Sequence, residues 1–202
     1  MTGSPQTVPF DVPALLDRFD SGSRLSFFHD LLMAENKRIN LVSRETSRDS
    51  FDRMVAECLL PLTVLNSGAA GGAYLDIGAG GGFPLFPIAL TGRTASLHAC
   101  ERTQKKAAAL VRIARDLGLA VTVIPRTFED IRFERTFALV TLRYVTLTAT
   151  LLSGVLSVLD SDGVFVYYSD PPFAVDRAGI RRFRFQSAPD QPFKHFCLIT
   201  RE

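Results

Sequence analysis

One stretch constrains the fold of this chain more than any other. Residues 74–90 read YLDIGAGGGFPLFPIAL: a short apolar run, a burst of glycine, then an apolar segment that starts at a proline. A brief apolar run closed by glycines has the signature of a buried strand. Proline is tolerated in the first turn of a helix. The pattern therefore predicts strand, glycine turn, helix, and the alternation repeats down the chain. ASLHACE (95–101) is a second strand. TQKKAAALVRIARDLGL (103–119) is a helix with Gly118 as its C-cap. AVTVIP (120–125) and FALVTLR (137–143) are the third and fourth strands, and LTATLLSGVLSVL (147–159) is the next helix. GVFVYYS (163–169) is the fifth strand, opened by a DSDG turn. FRFQ and HFCLITRE near the end alternate like an antiparallel pair. Strands alternating with helices predict an α/β fold with a doubly wound, mostly parallel sheet, here of seven strands.

Ahead of this core the periodicity is helical. Residues 1–10 look loose, with Pro5 and Pro9. From about Val12 to Leu41, apolar residues recur at three-to-four spacing: Leu15, Leu16 and Phe19, then Phe28, Leu31, Leu32 and Ile39. SRETSRDS (43–50) is rich in capping residues and predicts a helix start near Asp49 or Ser50. That helix carries Phe51, Met54, Val55, Cys58 and Leu59. NSGAAGG (66–72) reads as a connector. The expected organisation is an N-terminal helical extension over 1–72 and one compact core over 73–202.

Composition excludes several classes. With 202 residues, 47% of them hydrophobic, the chain can bury a sizeable single core. A net charge of +2 does not announce nucleic-acid binding. Cys58, Cys100 and Cys197 are widely spaced and form no C-x-x-C pair, which suits buried thiols in a reducing cytosol better than a disulfide framework or zinc site. His29, His98 and His195 show no ligand spacing, so no metal is expected. The N-terminus lacks the layout of a secretory signal, and no apolar stretch reaches membrane-span length. The expectation is a soluble, cytoplasmic monomer.

The glycines ask for a ligand. Glycine permits positive φ and close backbone approach, and the N–H groups at the start of the next helix favour an anionic group. The dinucleotide fingerprint is G-x-G-x-x-G/A. Gly78 and Gly80 fit it, but Phe83 occupies the third place. The pattern reads D-x-G-x-G-G-G instead, with Asp76 ahead of the glycines. A carboxylate there suits an ammonium group and suits a pyrophosphate badly. S-adenosylmethionine carries an ammonium, a sulfonium and no phosphate. Glu101, ending the second strand, is placed to accept both ribose hydroxyls of an adenosine. Glu129 and Asp130 in TFEDI (127–131) stand where an adenine amino group could be met, or else cap a surface helix. The cofactor-binding set read from these positions is Asp76, Gly78, Ala79, Gly80, Gly82, Phe83, Glu101, Arg102, Phe128, Glu129 and Arg143. Arg143, at the tip of the fourth strand, could contact a phosphate, a base O6 edge or the cofactor carboxylate, or form a surface salt bridge.

These residues resemble a known family, the bacterial 16S ribosomal RNA guanine-N7 methyltransferases, also called glucose-inhibited division protein B. The resemblance runs from about Phe28 to Phe165. RINLVS (38–43) is similar to the family's R-x-N-L-T, and DIGAGGGFPLFPIAL (76–90) to its D-I-G-S-G-A-G-F-P-G-x-P-L-A-I, with the F-P pair the telling part. ERTQKKAAAL (101–110) resembles D-S-x-x-K-K-x-x-F-L, and FALVTLRYV (137–145) resembles F-D-V-V-T-S-R-A-V, which matches Arg143 to the family's arginine. The resemblance implies a Rossmann-like class I methyltransferase fold, S-adenosylmethionine as donor, and guanine N7 of 16S rRNA in the small ribosomal subunit as acceptor. It makes Arg143 the catalytic candidate. It gives Lys105 and Lys106 an RNA-backbone role, with a solvated helix face as the alternative. Asn40, Ser43 and Arg44 could face the pocket, with helix capping by Ser43 as the plain alternative. RAGIRRFRF (177–185) reads either as a basic RNA-binding edge or as an edge strand alternating exposed arginine with buried phenylalanine. DPPF (170–173) reads as a loop.

The chain also departs from the pattern. Met54 stands where the family has histidine, Glu57-Cys58 where it has Asp-Ser, and Leu142 where a serine precedes the arginine. YYSDPP replaces the usual lysine-glycine after the fifth strand. Two alternatives therefore stay open: a methyltransferase for a small molecule or another polymer, and a non-catalytic descendant that binds cofactor or RNA. A nicotinamide-dependent oxidoreductase ranks last, because Phe83 breaks its fingerprint.

Overall fold

The structure is a computed structural model that describes residues 4–19, 23–65, 71–169, 177–188 and 190–201. In chain order it contains β1 (Gln6–Thr7), α1 (Val12–Phe19), α2 (Arg24–Asn36), α3 (Arg48–Leu59), β2 (Ala73–Ile77), α4 (Leu85–Leu90) and β3 (Ser96–Cys100). There follow α5 (Gln104–Asp116), β4 (Val121–Ile124), β5 (Phe137–Arg143), α6 (Ala149–Ser157), β6 (Leu159–Ser169), β7 (Ile180–Phe185) and β8 (Lys194–Ile199). The strands form one sheet in the order β1-β7-β8-β6-β5-β2-β3-β4. Pairings from β6 through β4 are parallel, and β8 runs antiparallel to both β6 and β7. The order reverses at β2, with β3 on one side and β5 on the other. That switch point is where an open α/β sheet leaves a crevice beyond its strand ends.

Strand β2 is buried at every position, as a central parallel strand must be. Its side chains alternate between two cores. Tyr74 joins a cluster with Phe28, Phe51, Phe86 and Leu110 from α2 to α5. Leu75 and Ile77 join Phe128, Phe137, Leu151 and Val155 on the other face. Helix α5 buries Ala107, Leu110, Ile113 and Ala114 along one stripe and ends at Gly118, whose φ is +68°, as its sequence predicted.

The structure revises several boundaries. The sheet gains an eighth strand, because residues 6–7 of the supposedly loose N-terminus pair in parallel with β7. The 12–41 helical stretch contains two helices, α1 and α2, and residues 20–22 between them lie outside the described residues. Helix α3 starts one residue before the expected site because the Ser47 hydroxyl caps it, accepting from Ser50 N–H at 3.2 Å. DSDG is no turn ahead of β6. It lies inside the strand, where the register jumps from Phe137↔Leu159 to Leu139↔Val164. A Cβ on Gly163 would sit 2.8 Å from the Phe137 carbonyl, so the bulge needs glycine. Strand β7 does alternate, burying Phe183 and Phe185 and leaving Arg181 exposed. It is one strand in from the edge. DPPF and residues 66–70 of the connector lie outside the described residues.

Candidate active site

The glycine run leaves β2 with Gly78, Gly80 and Gly82 at φ +70°, +53° and +88°. Its N–H groups are tied to the end of β3. Gly78 and Ala79 donate to the Cys100 carbonyl at 2.9 and 3.1 Å, and Gly80 donates to Glu101 Oε2 at 2.9 Å. Glu101 Oε1 accepts from Thr103 N–H at 2.8 Å. Much of the bare backbone is used by the chain itself. A Cβ on Gly81 would lie 2.8 Å from the Leu41 carbonyl oxygen, and one on Gly82 would lie 2.2 Å from the Phe86 ring. Leu41 is held there by buried Asn36, whose Oδ1 accepts from Leu41 and Val42 N–H at 2.7 and 3.1 Å. Phe83 packs on Phe28 and Phe51, which joins the loop to α2 and α3.

Asp76 sits beneath this loop rather than on the cleft wall, at 1% exposure. Its Oδ1 accepts from the Thr141 hydroxyl at 2.6 Å, and Thr141 is in turn 2.9 Å from the Tyr74 hydroxyl. Its Oδ2 accepts from Leu85 N–H at 3.2 Å. The helix start that the sequence offers to a ligand anion is thus filled by the chain's own carboxyl group. Burial pushes Asp76 up to about 7, against the opposing hydrogen bonds from Thr141 and Leu85.

Arg143 ends β5 and is also buried. Nη2 donates to Glu57 Oε2 at 2.8 Å and to the Tyr144 hydroxyl at 3.1 Å, and Nη1 lies 3.6 Å from Cys58 Sγ. Glu57 receives a second cation, Lys194 Nζ, at 2.6 Å from Oε1. One carboxylate from α3 therefore braces two cations from β5 and β8. Burial pushes the Cys58 and Cys100 thiols up to about 12, so both stay protonated.

Between the strand tips lies a cleft of about 680 Å³. Of the residues singled out from sequence, Gly78, Ala79, Gly80, Phe83, Glu101, Arg102, Phe128, Glu129, Arg143 and Lys106 line it. Asp76 and Gly82 lie outside its lining, as do Asn40, Arg44 and Lys105, all three of which are exposed. At the 40s segment the cleft is lined instead by Leu41 and Val42. Ser43 does not cap α3; its hydroxyl accepts from Glu45 N–H at 3.3 Å within a local turn. Sequence reading missed Asn36, Thr141, Tyr144, Val145 and the role of Glu57. Thr141 and Glu57 carried a signal, a polar residue in an otherwise apolar strand or helix face. Tyr144 carried one that went unread, a tyrosine where the resembled family segment has alanine. Among the described residues, no group of three His, Cys, Asp or Glu is arranged to hold a metal ion, and no helix is long and apolar enough to cross a membrane.

An acid-flanked glycine loop at the switch point of this sheet belongs to the Rossmann-like methyltransferase architecture, and solved structures agree. A 16S rRNA N2 methyltransferase from T. thermophilus (RsmC), in complex with AdoMet and guanosine, superposes with a TM-score of 0.57 at 17% identity, over 73% of this chain and 43% of that one. A rRNA methylase from Streptococcus thermophilus gives 0.52 at 12% identity, over 67% and 92%. At such identities the likeness is one of fold. Sequence goes further: residues 22–171 match the family described as rRNA small subunit methyltransferase G (GidB), and the chain belongs to that family. Relatives named ribosomal RNA small subunit methyltransferase G include one from Halorhodospira halophila, 30% identical over 79% of this chain and 71% of that protein. One from Synechococcus sp. is 28% identical over 95% and 91%. One from Ruegeria sp. is 34% identical, and the match spans about half of each chain, 53% of both.

Proposed function

We propose that the chain transfers a methyl group from S-adenosylmethionine to N7 of a guanine in 16S rRNA of the small ribosomal subunit, in the cytoplasm. The observation that carries this reading is the cleft itself. Its glycine loop lines the cleft at Gly78, Ala79 and Gly80, is flanked by Glu101, and is closed to a phosphate by Asp76 at Leu85 N–H, in a chain of this family. Glu101 keeps unused lone pairs for the ribose hydroxyls. Phe128 and Glu129 stand at the adenine end, and Arg143 at the methionine and acceptor end. When bound, the cofactor supplies a methyl group activated on a sulfonium sulfur.

Guanine N7 has a lone pair and no proton, so the acceptor needs no general base. The new N–C bond forms as the C–S bond breaks; the bonding pair stays on sulfur and the positive charge passes to the purine. The chain's task is alignment, which is worth roughly 7–11 kcal/mol in favourable cases. The described cleft lining holds no histidine, which suits chemistry of this kind. A second reading keeps the donor and changes the acceptor. It is favoured by the Glu57 ion pair, which already compensates the charge of Arg143.

Labelled donor is offered with small subunits that lack the modification, and the methylated base is mapped. Transfer to guanine N7 supports the main reading. Donor binding without transfer to RNA supports the second, and absence of donor binding overturns both. Glu101→Ala is expected to weaken donor affinity about tenfold or more in calorimetry; unchanged affinity would mean that the donor does not sit at Glu101.

A further inference from the structure

Tyr144 is out of place as a structural residue. Among the described residues it is the one non-glycine with positive φ, at +57°. Left-handed backbone is costly for a bulky side chain and persists only where surroundings enforce it. Here the strain places an aromatic ring at 65% exposure, so core burial is not the return. The ring lies in the cleft lining beside Val145, whose methyl group approaches Gly78. Its orientation is set from behind. The Arg143 guanidinium carbon is 4.5 Å from the ring centroid, and the hydroxyl accepts from Arg143 Nη2. Arg143 is itself held by Glu57, and Glu57 by Lys194. Three charged side chains from three elements thus fix an exposed ring. The family segment that 137–145 resembles has alanine at this place, so the ring is a feature of this chain.

We propose that Tyr144 is the platform on which the acceptor purine stacks, set against the donor by the Arg143–Glu57–Lys194 brace. This rests on the guanine-N7 reading above. The cofactor's adenosine end is assigned to Glu101, just past β3, and Glu129, in the short 3-10 turn that follows β4, whereas Tyr144 stands at the tip of β5 on the far side of the glycine loop. Unstacked bases are recognised by aromatic rings. The charge balance adds selectivity for the transition state: methylation at N7 leaves the purine cationic, and the negative face of an aromatic ring holds a cation better than a neutral base.

Two measurements separate this proposal from the reading it rests on. In methyl transfer to small subunits, Tyr144→Ala is expected to raise KM for the subunit about tenfold or more. Donor affinity in calorimetry should stay unchanged, and Tyr144→Phe should recover most of the loss because it keeps the ring. Independently of any transfer to RNA, guanosine 5′-monophosphate is titrated into the protein saturated with demethylated cofactor. The Tyr144 ring protons, assigned by comparison with Tyr144→Phe, should show an upfield ring-current NMR shift. 7-Methylguanosine 5′-monophosphate should bind tighter by about threefold or more, and Tyr144→Ala should abolish the preference. Ring shifts and nucleotide preference without methyl transfer to subunits would keep the platform and fail the RNA reading. Transfer by Tyr144→Ala with wild-type KM, or nucleotide binding that leaves the Tyr144 signals unmoved, overturns the platform.

Discussion

Replacing Asp76 by Asn should change how stability depends on pH. Asp76 ionises near 3.8 when unfolded and near 7 in the folded chain, because burial outweighs the hydrogen bonds from Thr141 and Leu85. Between those values the folded state holds a proton that the unfolded state has released. Stability therefore falls as pH rises across that window, and above the folded pKa the whole penalty is present. A shift from 3.8 to about 7 corresponds to a penalty on the order of 4 kcal/mol. Asparagine carries no such ionisation cost: its carbonyl can accept from Leu85 N–H and its amide N–H can donate to Thr141 Oγ1, and whatever the rearranged Thr141 and Tyr74 hydroxyls lose is the same at every pH. The measurement is urea unfolding of both proteins at about pH 4.5 and about pH 8.5. Other titrating groups largely cancel in the difference between the two proteins. Asp76→Asn should gain on wild type by several kcal/mol at the higher pH relative to the lower. A difference that is constant across the range would refute the burial argument.

Two further outcomes test the loop and the brace. Gly82→Ala combines a φ of +88° with a Cβ driven 2.2 Å from the Phe86 ring, whereas Gly92→Ala, at +69°, has nothing within 4 Å. The first should cost about 2–4 kcal/mol and the second about 1 in denaturant melts, and equal costs would show that Phe86 simply moves aside. Glu57→Gln removes the carboxylate shared by Arg143 and Lys194, and should cost about 3 kcal/mol because Arg143 stays buried without its partner. Adding Arg143→Met should recover part of that loss, and a purely additive double variant would deny the coupling.

The alternating strands and helices were legible because a buried parallel strand, a glycine turn and an amphipathic helix each leave a local pattern, as in FALVTLR and the alanine-rich α5. The cleft was legible in outline, since Gly78, Gly80 and Glu101 follow strand ends, and Glu129 the segment after β4, that the alternation carries to one end of the sheet. The N-terminal strand was not, because two residues have no periodicity, and β1 exists only because β7 offers it an edge. DSDG looked like a turn because its residues favour turns, yet pairing with β5 absorbs it as a bulge.

What the sequence by itself determined is the fold class, the position of the glycine loop and the chemical types gathered around it, all of which come from local propensity and strand order. Only the tertiary structure decided which of those groups face the cleft. Asp76 turned inward because side chains alternate along β2 and the start of α4 lies directly above it. Arg143 was claimed by Glu57, far away in sequence and 2.8 Å away in space. Tyr144 was left at the mouth by a backbone conformation that no propensity of tyrosine encodes. Pairings between distant residues depend on how layers pack, and a one-dimensional pattern carries no record of that.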